Sequence, residues 1–220
     1  MHMQIDYSLY LVTDRRMTGN RSLIEIIEES IAGGVTIVQL REKHASTREF
    51  FDLAVAVREI LKPHRIPLII NDRLDVALAC GAEGVHVGQS DMQCRIVRRI
   101  VDRKMIVGVS VSTVEEALAA EADGADYLGV SPVFNTPTKT DTPEATGLQG
   151  LQKIRQTVNI PIVGIGGIHS ANAAQVVSCG ADGIAVVSAI MASSEPRGAA
   201  RSLRAAIDSG RFAPEYRSQT

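Results

Sequence analysis

The chain has 220 residues, of which 45% are hydrophobic and 22% are charged, enough for one sizeable core or two small ones. Its 23 Lys and Arg against 25 Asp and Glu give a formal net charge of −2, which argues against a broad basic surface for nucleic acid or anionic membrane. No apolar run approaches the roughly 20 residues that span a bilayer, and the N-terminus lacks the layout of a secretion signal. We therefore expect a cytoplasmic protein with neither nucleic-acid nor membrane partners.

The three cysteines, Cys80, Cys94 and Cys179, contain no Cys-x-x-Cys pair. An odd number of cysteines without that pair disfavours both a disulfide framework and a zinc site. We expect them to be small buried side chains in a reducing compartment.

A helix end, a short turn and a compact apolar strand recur along the chain. Glycine supplies the left-handed conformation that ends a helix, and the near-continuous apolar run that follows suits a parallel strand buried on both faces. The copies are Gly33–Val38, Gly81–Val87, Gly124–Val130 and Gly180–Val187. The pattern therefore predicts helices that alternate with parallel strands.

Eight strands are predicted when the stretches between these copies are included. In chain order they are Leu9–Thr13, Val35–Leu40, Leu68–Asn71, Val85–Val87, Ile106–Ser110, Tyr127–Val130, Ile162–Gly164 and Ile184–Val187. Apolar residues at helical spacing lie between them, as in Leu23–Ile31 and Val114–Ala122. Expected helix N-caps are Ser46, Thr113 and Ser170.

Eight strand–helix units in this length predict an α/β protein with a single (β/α)8 TIM barrel. We place the barrel domain at residues 1–210 and a flexible tail at residues 211–220. An open, doubly wound sheet is the alternative, but the chain has no Gly-x-Gly-x-x-Gly after its first strand. Because the active site of such a barrel lies at the C-terminal ends of the strands, the residues after each strand carry the functional prediction.

The second strand continues into a charged segment. Because side chains alternate along a strand, Gln39, Arg41 and Lys43 point to the same face as Val35 and Ile37. If that face lines the barrel interior, one amide and two cations project into the barrel mouth. An Arg fork and a Lys point charge suit a diphosphate. The alternative is a solvated charged loop.

Carboxylates follow the third and fourth strands, at Asp72 and Asp91. Two carboxylates from neighbouring strand ends, without a Cys or His cluster, favour Mg²⁺. Each of them alone is equally well explained as a helix N-cap. We expect His86, which lies inside its strand, to be a hydrogen-bonded core residue and not a metal ligand.

The fifth and sixth strands are followed by hydroxyl-bearing residues and a long loop. The Ser110 hydroxyl could bond a phosphate or a ring nitrogen, or it could cap the next helix. It is not expected to be a nucleophile, because the Gly-x-Ser-x-Gly motif of the hydrolases is absent. The loop that starts at Ser131 runs to Gly147, longer than a barrel needs. We interpret it as a lid in which Lys139 brings a cation to a phosphorylated ligand; a disordered surface loop is the alternative.

Glycine-rich backbone follows the seventh strand at Gly164–Ile168, and Val187-Ser188 follows the eighth. Backbone N–H groups at such positions bind anions, and these two loops form the usual phosphate site of this fold. Many unrelated barrels share this feature. It therefore predicts a phosphorylated substrate without identifying it.

Taken together and in order, these segments resemble the thiamine phosphate synthase family. The resemblance spans nearly the whole chain, and it is carried by Tyr10–Asp14, Gln39–Lys43, Asn71-Asp72, His86–Asp91, Thr136–Lys139 and Gly166–Ile168. It implies a cytoplasmic transferase of thiamine biosynthesis. Such an enzyme joins 4-amino-2-methyl-5-(diphosphooxymethyl)pyrimidine to 4-methyl-5-(2-phosphooxyethyl)thiazole and releases pyrophosphate. Homo-oligomerisation is expected only by analogy of fold.

The resemblance also implies roles for individual residues. The pyrimidine diphosphate site is matched by Gln39, Leu40, Arg41, Glu42, Lys43, Asn71, Ser110 and Lys139. The thiazole phosphate site is matched by Thr136, Pro137, Thr138, Gly167, Val187 and Ser188. Asp72 and Asp91 match ligands of the Mg²⁺ cofactor. In the dissociative transfer that the family implies, the catalytic residues are Arg41, Lys43, Lys139 and Ser110.

Two other functions remain as alternatives. A thiazole tautomerase-like isomerase on the same scaffold would need neither Mg²⁺ nor a pyrimidine diphosphate, and would use His86 or His169 as its acid–base group. A non-catalytic phosphate-binding barrel would keep only the glycine-rich loops. The polar ends of the other strands favour the synthase over both.

Overall fold

Eight parallel strands pair in chain order, and the last strand pairs back onto the first to close a barrel. The computed structural model describes residues 5–101, 104–135 and 145–212. The strands are β1 (Leu9–Val12), β2 (Ile37–Leu40), β3 (Leu68–Asn71), β4 (Gly84–Val87), β5 (Ile106–Val111), β6 (Tyr127–Val130), β7 (Ile162–Ile165) and β8 (Gly183–Val186). The predicted (β/α)8 barrel is therefore confirmed.

Helices connect the strands and cover the outside of the barrel. They are α1 (Leu23–Ala32), α2 (Thr47–Leu61), α3 (Leu74–Cys80), α4 (Cys94–Ile100), α5 (Val114–Ala122), α6 (Gly147–Arg155), α7 (Ala173–Ser178), α8 (Ser188–Met191) and α9 (Pro196–Arg211). Within the described ranges, no helix has the length and apolar character needed to cross a membrane. Helix α9 extends past the predicted domain end, and residues 213–220 of the predicted tail lie outside the described residues.

The predicted helix caps are confirmed in two of three places. Ser46 caps α2 in a reciprocal capping box with Glu49, and the Thr113 side chain accepts from the amide of Glu116 at the start of α5. The cap predicted at Ser170 is wrong, because α7 begins at Ala173 with Asn172 as its N-cap. The Asn172 side chain bonds back to the amide of His169 at 2.8 Å, which holds the preceding residues in a turn.

Two apolar layers fill the fold. The outer layer lies between the strands and the helices, and includes Leu11, Leu40, Phe50 and Val57. The inner layer fills the barrel itself, and its members are Tyr10, Val12, Ile37, Ile69, Ile106, Tyr127, Val163 and Ala185. Because side chains alternate along each strand, every strand can serve both layers at once.

Two cysteines belong to the outer layer. Cys80 and Cys94 are buried, and Cys179 is partly buried. Burial raises the pKa of Cys94 to about 11, so this thiol stays protonated at neutral pH. The prediction of small buried side chains is confirmed for Cys80 and Cys94, whereas Cys179 is only partly buried.

Helix α9 closes the outside of the barrel over the seam between β1 and β8. It packs against α1, α7 and α8. The Arg211 guanidinium donates to the Ser8 hydroxyl at 2.6 Å and to the Asp182 carbonyl at 3.1 Å, so it ties together the residues that precede β1 and β8. Gly210 leaves room for this packing, because a Cβ there would lie 2.5 Å from the Ala174 carbonyl oxygen.

The glycines of the seam give a direct test of this packing. A Cβ at Gly183 would overlap the Tyr7 carbonyl oxygen, whereas a Cβ at Gly198, on α9, meets nothing closer than 3.6 Å. We expect Gly183→Ala to lower the free energy of unfolding by about 1–3 kcal/mol. Gly198→Ala should raise it by up to about 1 kcal/mol, because alanine loses less backbone entropy in a helix. Urea unfolding of the two variants checks this, and equal midpoints would contradict it.

Candidate active site

A cavity of about 500 Å³ opens at the C-terminal ends of the strands. All eight strands contribute side chains or backbone to its wall. The predicted site residues that line it are Gln39, Arg41, Asn71, Ser110, Gly167, Val187 and Ser188. The structure therefore brings together residues that are up to about 150 positions apart in the chain, as expected when parallel strand ends share one rim.

The end of β2 and the residues just after it divide between this cavity and its surroundings. Gln39 is buried at the cavity floor, and Arg41 lines the wall. The Leu40 side chain lies in the outer apolar layer and points away from the cavity, so only the backbone of Leu40 is left to contact a ligand. The Glu42 carboxylate pairs with Arg15 at 2.8 Å.

A second, smaller cavity of about 310 Å³ adjoins the first, and Arg41 lines both. Its wall is rich in cationic groups, and its lining residues are Asp14, Arg15, Arg16, Arg41, Glu42, Lys43 and His44. Lys43 therefore lies beside the main cavity and not inside it. Clustered guanidinium and ammonium groups favour an anion with several oxygens.

A pair of carboxylates lies next to Lys43. Its ammonium donates to Asp72 at 2.6 Å, and Asp72 lies close enough to Asp91 to raise the pKa of the Asp91 carboxyl group. Asp91 also accepts from the Gly88 amide at 2.8 Å. The N-cap alternative is wrong for both carboxylates, because the N-cap position of α3 is Arg73 and that of α4 is Gln93.

Asp72 has an unusual backbone conformation, and Asp91 has a raised pKa. Asp72 has φ of 62°, in the left-handed region that Asp and Asn enter more readily than most residues. Burial, with the Asp72 carboxylate as a further cause, raises the pKa of Asp91, while the Gly88 amide and Lys43 act in the opposite direction. A cation between the two carboxylates would relieve both unfavourable contributions.

The floor of the main cavity is polar and aromatic. The Gln39 amide, the hydroxyls of Tyr10 and Tyr127, the His86 imidazole and the Ser110 hydroxyl are joined by hydrogen bonds, and we call them the floor network. His86 is buried, so its prediction as a hydrogen-bonded core residue is confirmed. Neither tyrosine was predicted as a site residue, although Tyr10 lies in a segment that carried the family resemblance.

The loops after β7 and β8 form the opposite wall. Gly166 and Gly167 have φ of 103° and 63°, and a Cβ on either would lie less than 3 Å from the segment Pro132–Asn135. Pro132–Asn135, the first part of the loop after β6, therefore rests directly on the glycine-rich loop. Val187 and Ser188 lie at the start of α8 on the same wall.

Part of the predicted site lies outside the described residues. Thr136, Pro137, Thr138 and Lys139 all belong to this part of the chain. Asn135, which immediately precedes them, lines the main cavity. The assignments of these four residues stay predictions.

Comparison with known proteins identifies the family of this barrel. The family model described as Thiamine monophosphate synthase matches residues 9–190. The chain belongs to the thiamine monophosphate synthase family. It is 52% identical to the thiamine-phosphate synthase of Albidiferax ferrireducens, with 91% of each chain covered. It is 53% identical to that of Chloroflexus aurantiacus, with 92% of this chain and 94% of the relative covered.

A solved structure supports the same family. The thiamine phosphate pyrophosphorylase from Pyrococcus furiosus superposes with a TM-score of 0.86 and is 40% identical, over 94% of this chain and 98% of that one. The thiamine monophosphate synthase family makes this chain a transferase of thiamine biosynthesis. The predicted family, fold and enzyme class are thus confirmed.

This member of the thiamine monophosphate synthase family uses Asp14 to organise its arginines. The buried Asp14 carboxylate accepts two hydrogen bonds from the Arg16 guanidinium, at 3.0 and 2.7 Å, and lies 3.5 Å from Arg41. Thr13 fixes the backbone beside it by accepting from the Arg41 amide at 3.0 Å. This role of Asp14 was not predicted, although a carboxylate directly after β1 was a usable signal in the sequence.

The Asp14 contacts predict a pH-dependent contribution to stability. Hydrogen bonding from Arg16 is the main cause that lowers the pKa of Asp14, while burial opposes it. A lowered folded-state pKa stabilises the fold above the unfolded value of about 3.9 and is lost as the pH falls through the folded value. Asp14→Asn should therefore cost about 1–3 kcal/mol at pH 7 and progressively less below about pH 4.

Urea unfolding of Asp14→Asn and the wild type at pH 7 and pH 3 measures this difference. Glu29→Gln is the matched control, because Glu29 pairs with Arg197 at an exposed site and should contribute less than about 1 kcal/mol. A cost for Asp14→Asn that is the same at both pH values would contradict the argument.

Proposed function

We propose that the chain is a thiamine phosphate synthase that joins the pyrimidine diphosphate to the thiazole phosphate and releases pyrophosphate. The observation that carries this proposal is the two-sided cavity of about 500 Å³: Gln39, Arg41 and Asn71 line one side and the glycine-rich wall lines the other. Arg41 also lines the adjoining cationic cavity, where Lys43 pairs with Asp72. A reaction between two phosphorylated substrates needs two such anion sites with a shared centre. The family assignment agrees with it.

The pyrimidine diphosphate belongs on the side of β2 and β3. Gln39 and Asn71 line the cavity as hydrogen-bonding amides for the ring. Arg41 and Lys43 lie towards the second cavity, where the diphosphate oxygens would meet positive charge. Glu42, through its pair with Arg15, and the Leu40 backbone complete the segment. Ser110 and Lys139 are assigned to the same substrate from the family resemblance.

The thiazole phosphate belongs on the side of β7 and β8. Gly167 and Ser188 line the wall there, and left-handed glycines followed by a helix start present backbone N–H groups to an anion. Val187 adds an apolar contact for the thiazole ring. Thr136, Pro137 and Thr138 are assigned to this substrate from the resemblance, and they follow the cavity residue Asn135.

Mg²⁺ is the proposed cofactor, and the residues present fit it. Within the described residues no group of three or more His, Cys, Asp and Glu side chains gathers to hold a metal. Asp72 and Asp91 form a two-carboxylate site, which is the usual protein share for an ion whose remaining ligands are water and substrate phosphate. When bound, Mg²⁺ would supply Lewis-acid stabilisation of the departing diphosphate. The Lys43 ammonium, 2.6 Å from Asp72, supports a cation at this position.

The protein's own groups act on charge and position. The bond between the pyrimidine methylene carbon and the diphosphate oxygen breaks first, and its electron pair leaves with pyrophosphate. Arg41, Lys43 and Lys139 compensate the negative charge that develops on the leaving oxygens. The lone pair of the thiazole nitrogen then forms the new carbon–nitrogen bond. No nucleophile from the protein is required, and Ser110 serves as a hydrogen-bond donor.

Substitution of one carboxylate tests the metal site. Asp72→Asn keeps a residue that tolerates the left-handed backbone but removes the charge, so we expect kcat/KM to fall at least about 100-fold. Asp75→Asn, three residues away and paired with Arg73 at an exposed position, should stay within about 2-fold of the wild type. The measurement is formation of thiamine phosphate and pyrophosphate from both substrates with Mg²⁺.

Metal removal and substrate omission complete this test. EDTA should abolish product formation, and excess Mg²⁺ should restore it. Folded wild-type protein that yields no thiamine phosphate would refute the proposal. Isomerisation of a thiazole phosphate without Mg²⁺ or pyrimidine would instead support the tautomerase alternative.

A further inference from the structure

The floor network crosses the barrel from β2 to β5 in four hydrogen bonds. The Gln39 amide nitrogen lies 2.9 Å from the Tyr10 hydroxyl, which lies 2.8 Å from the Tyr127 hydroxyl. The Tyr127 hydroxyl lies 2.9 Å from Nδ1 of His86, and Nε2 of His86 lies 2.8 Å from the Ser110 hydroxyl. The two ends of this network, Gln39 and Ser110, are both assigned to the pyrimidine diphosphate under the proposed function.

Two glycines inside strands make room for the network. A Cβ at Gly108 would overlap the Tyr127 ring, and a Cβ at Gly129 would lie 3.1 Å from the His86 ring. Glycine in a strand interior normally weakens the strand. Gly108 on β5 and Gly129 on β6 therefore lower the stability of their strands but leave the space that the Tyr127 and His86 rings occupy.

The network has one internally consistent direction. A hydroxyl carries a single proton, so Tyr10, which accepts from the Gln39 NH₂ group, donates to Tyr127. Tyr127 then donates to Nδ1 of His86. A neutral imidazole that accepts at Nδ1 carries its proton on Nε2 and donates it to Ser110.

The direction decides what each end presents to a ligand. Because one N–H of its NH₂ group donates to Tyr10, the Gln39 amide is oriented with its oxygen, a hydrogen-bond acceptor, away from the network. Because it accepts from His86, Ser110 presents its hydroxyl proton, a hydrogen-bond donor. An acceptor at one end suits a ring amino group, and a donor at the other suits a phosphate or diphosphate oxygen. Burial raises the pKa of both tyrosines, which keeps their protons in the network.

We propose that Tyr10, Tyr127 and His86 are positioning residues that set this hydrogen-bond polarity, and thereby select a pyrimidine that carries an amino group over one that carries an oxo group. The structural part, the direction of the network, is independent of the proposed function. The selectivity part deepens the proposed function and rests on it. The two parts are tested by separate measurements.

The position of the His86 proton tests the direction. Long-range ¹H–¹⁵N correlation spectra of protein labelled with ¹⁵N-histidine, recorded at about pH 8 where imidazole is neutral, distinguish the two tautomers. His86→Gln assigns the signals. We expect the wild type to carry the proton on Nε2. A proton on Nδ1 would overturn the proposal.

Reversal of the network is the sharper test. Gln39→Glu replaces the NH₂ donor by a carboxylate that can only accept, so Tyr10 must donate to it and every later bond must reverse. We expect the His86 proton to move from Nε2 to Nδ1 in this variant. Tyr7→Phe is the matched control, because Tyr7 contacts the Tyr127 ring, with centroids 5.0 Å apart, but is not part of the network. An unchanged tautomer in Gln39→Glu would overturn the proposal.

Selectivity is measured by the ratio of kcat/KM for the amino-pyrimidine diphosphate to that for its oxo analogue. Tyr127→Phe removes the hydroxyl that links the two halves of the network, and we expect it to lower this ratio at least about 10-fold. Tyr7→Phe should leave the ratio unchanged. Thermal unfolding shows whether both variants are folded; if Tyr127→Phe is not, Tyr10→Phe takes its place.

A ratio in the folded Tyr127→Phe or Tyr10→Phe variant that equals the wild-type ratio would overturn the selectivity role. Wild-type protein that turns over neither diphosphate would refute the proposed function. The tautomer spectra would still decide the direction of the network, because they need no substrate. The two failures are therefore distinguishable.

Discussion

The narrow interior of a closed eight-stranded barrel is the constraint on which the rest of this structure depends. Such a barrel is just wide enough for its inward side chains to fill it. The inner apolar layer fills much of this interior, and several of its members, among them Tyr10 and Ala185, also line the cavity. Nearer the C-terminal ends, the inward positions are taken by Gln39, Asn71 and His86, which are buried but polar. The active site is therefore built on an apolar base, at one end of the molecule.

Tyr10 and Tyr127 belong both to the inner apolar layer and to the polar floor network. Their rings pack in the inner apolar layer, with centroids 5.9 Å apart, while their hydroxyls join the floor network. This is how a buried polar group escapes the cost of desolvation: its partner is supplied by a neighbour whose own ring is already buried. Towards the rim, the same principle holds with charges, since Asp14 is shared by two guanidinium groups and Asp72 is paired with Lys43.

The sequence was sufficient for the architecture and for the positions of the polar strand ends, because both depend on short, local patterns. It was less informative where contacts join distant parts of the chain. Val35 was expected in β2 but precedes it, because its amide bonds to the carbonyl of Ser30 in α1. The hydroxyl contact of Tyr10 with Tyr127 joins residues 117 positions apart, and no spacing rule reaches that far. The alternative roles of Asp72 and Asp91 likewise separate only when the starts of α3 and α4 are known.

The seam under helix α9 has a consequence for how the molecule is made. Strand β1 finds its second neighbour only when β8 is available, since Leu9 pairs with Ile184. A ribosome delivers β8 and then α9 after almost all other elements, so the edge of β1 stays without that partner during most of synthesis. An open parallel edge is prone to pair with another chain. Pairing of β1 with β8 closes the barrel, and Arg211 holds the two strand starts together. Barrel closure is thus the step after which the edge of β1 is no longer exposed in the nascent chain.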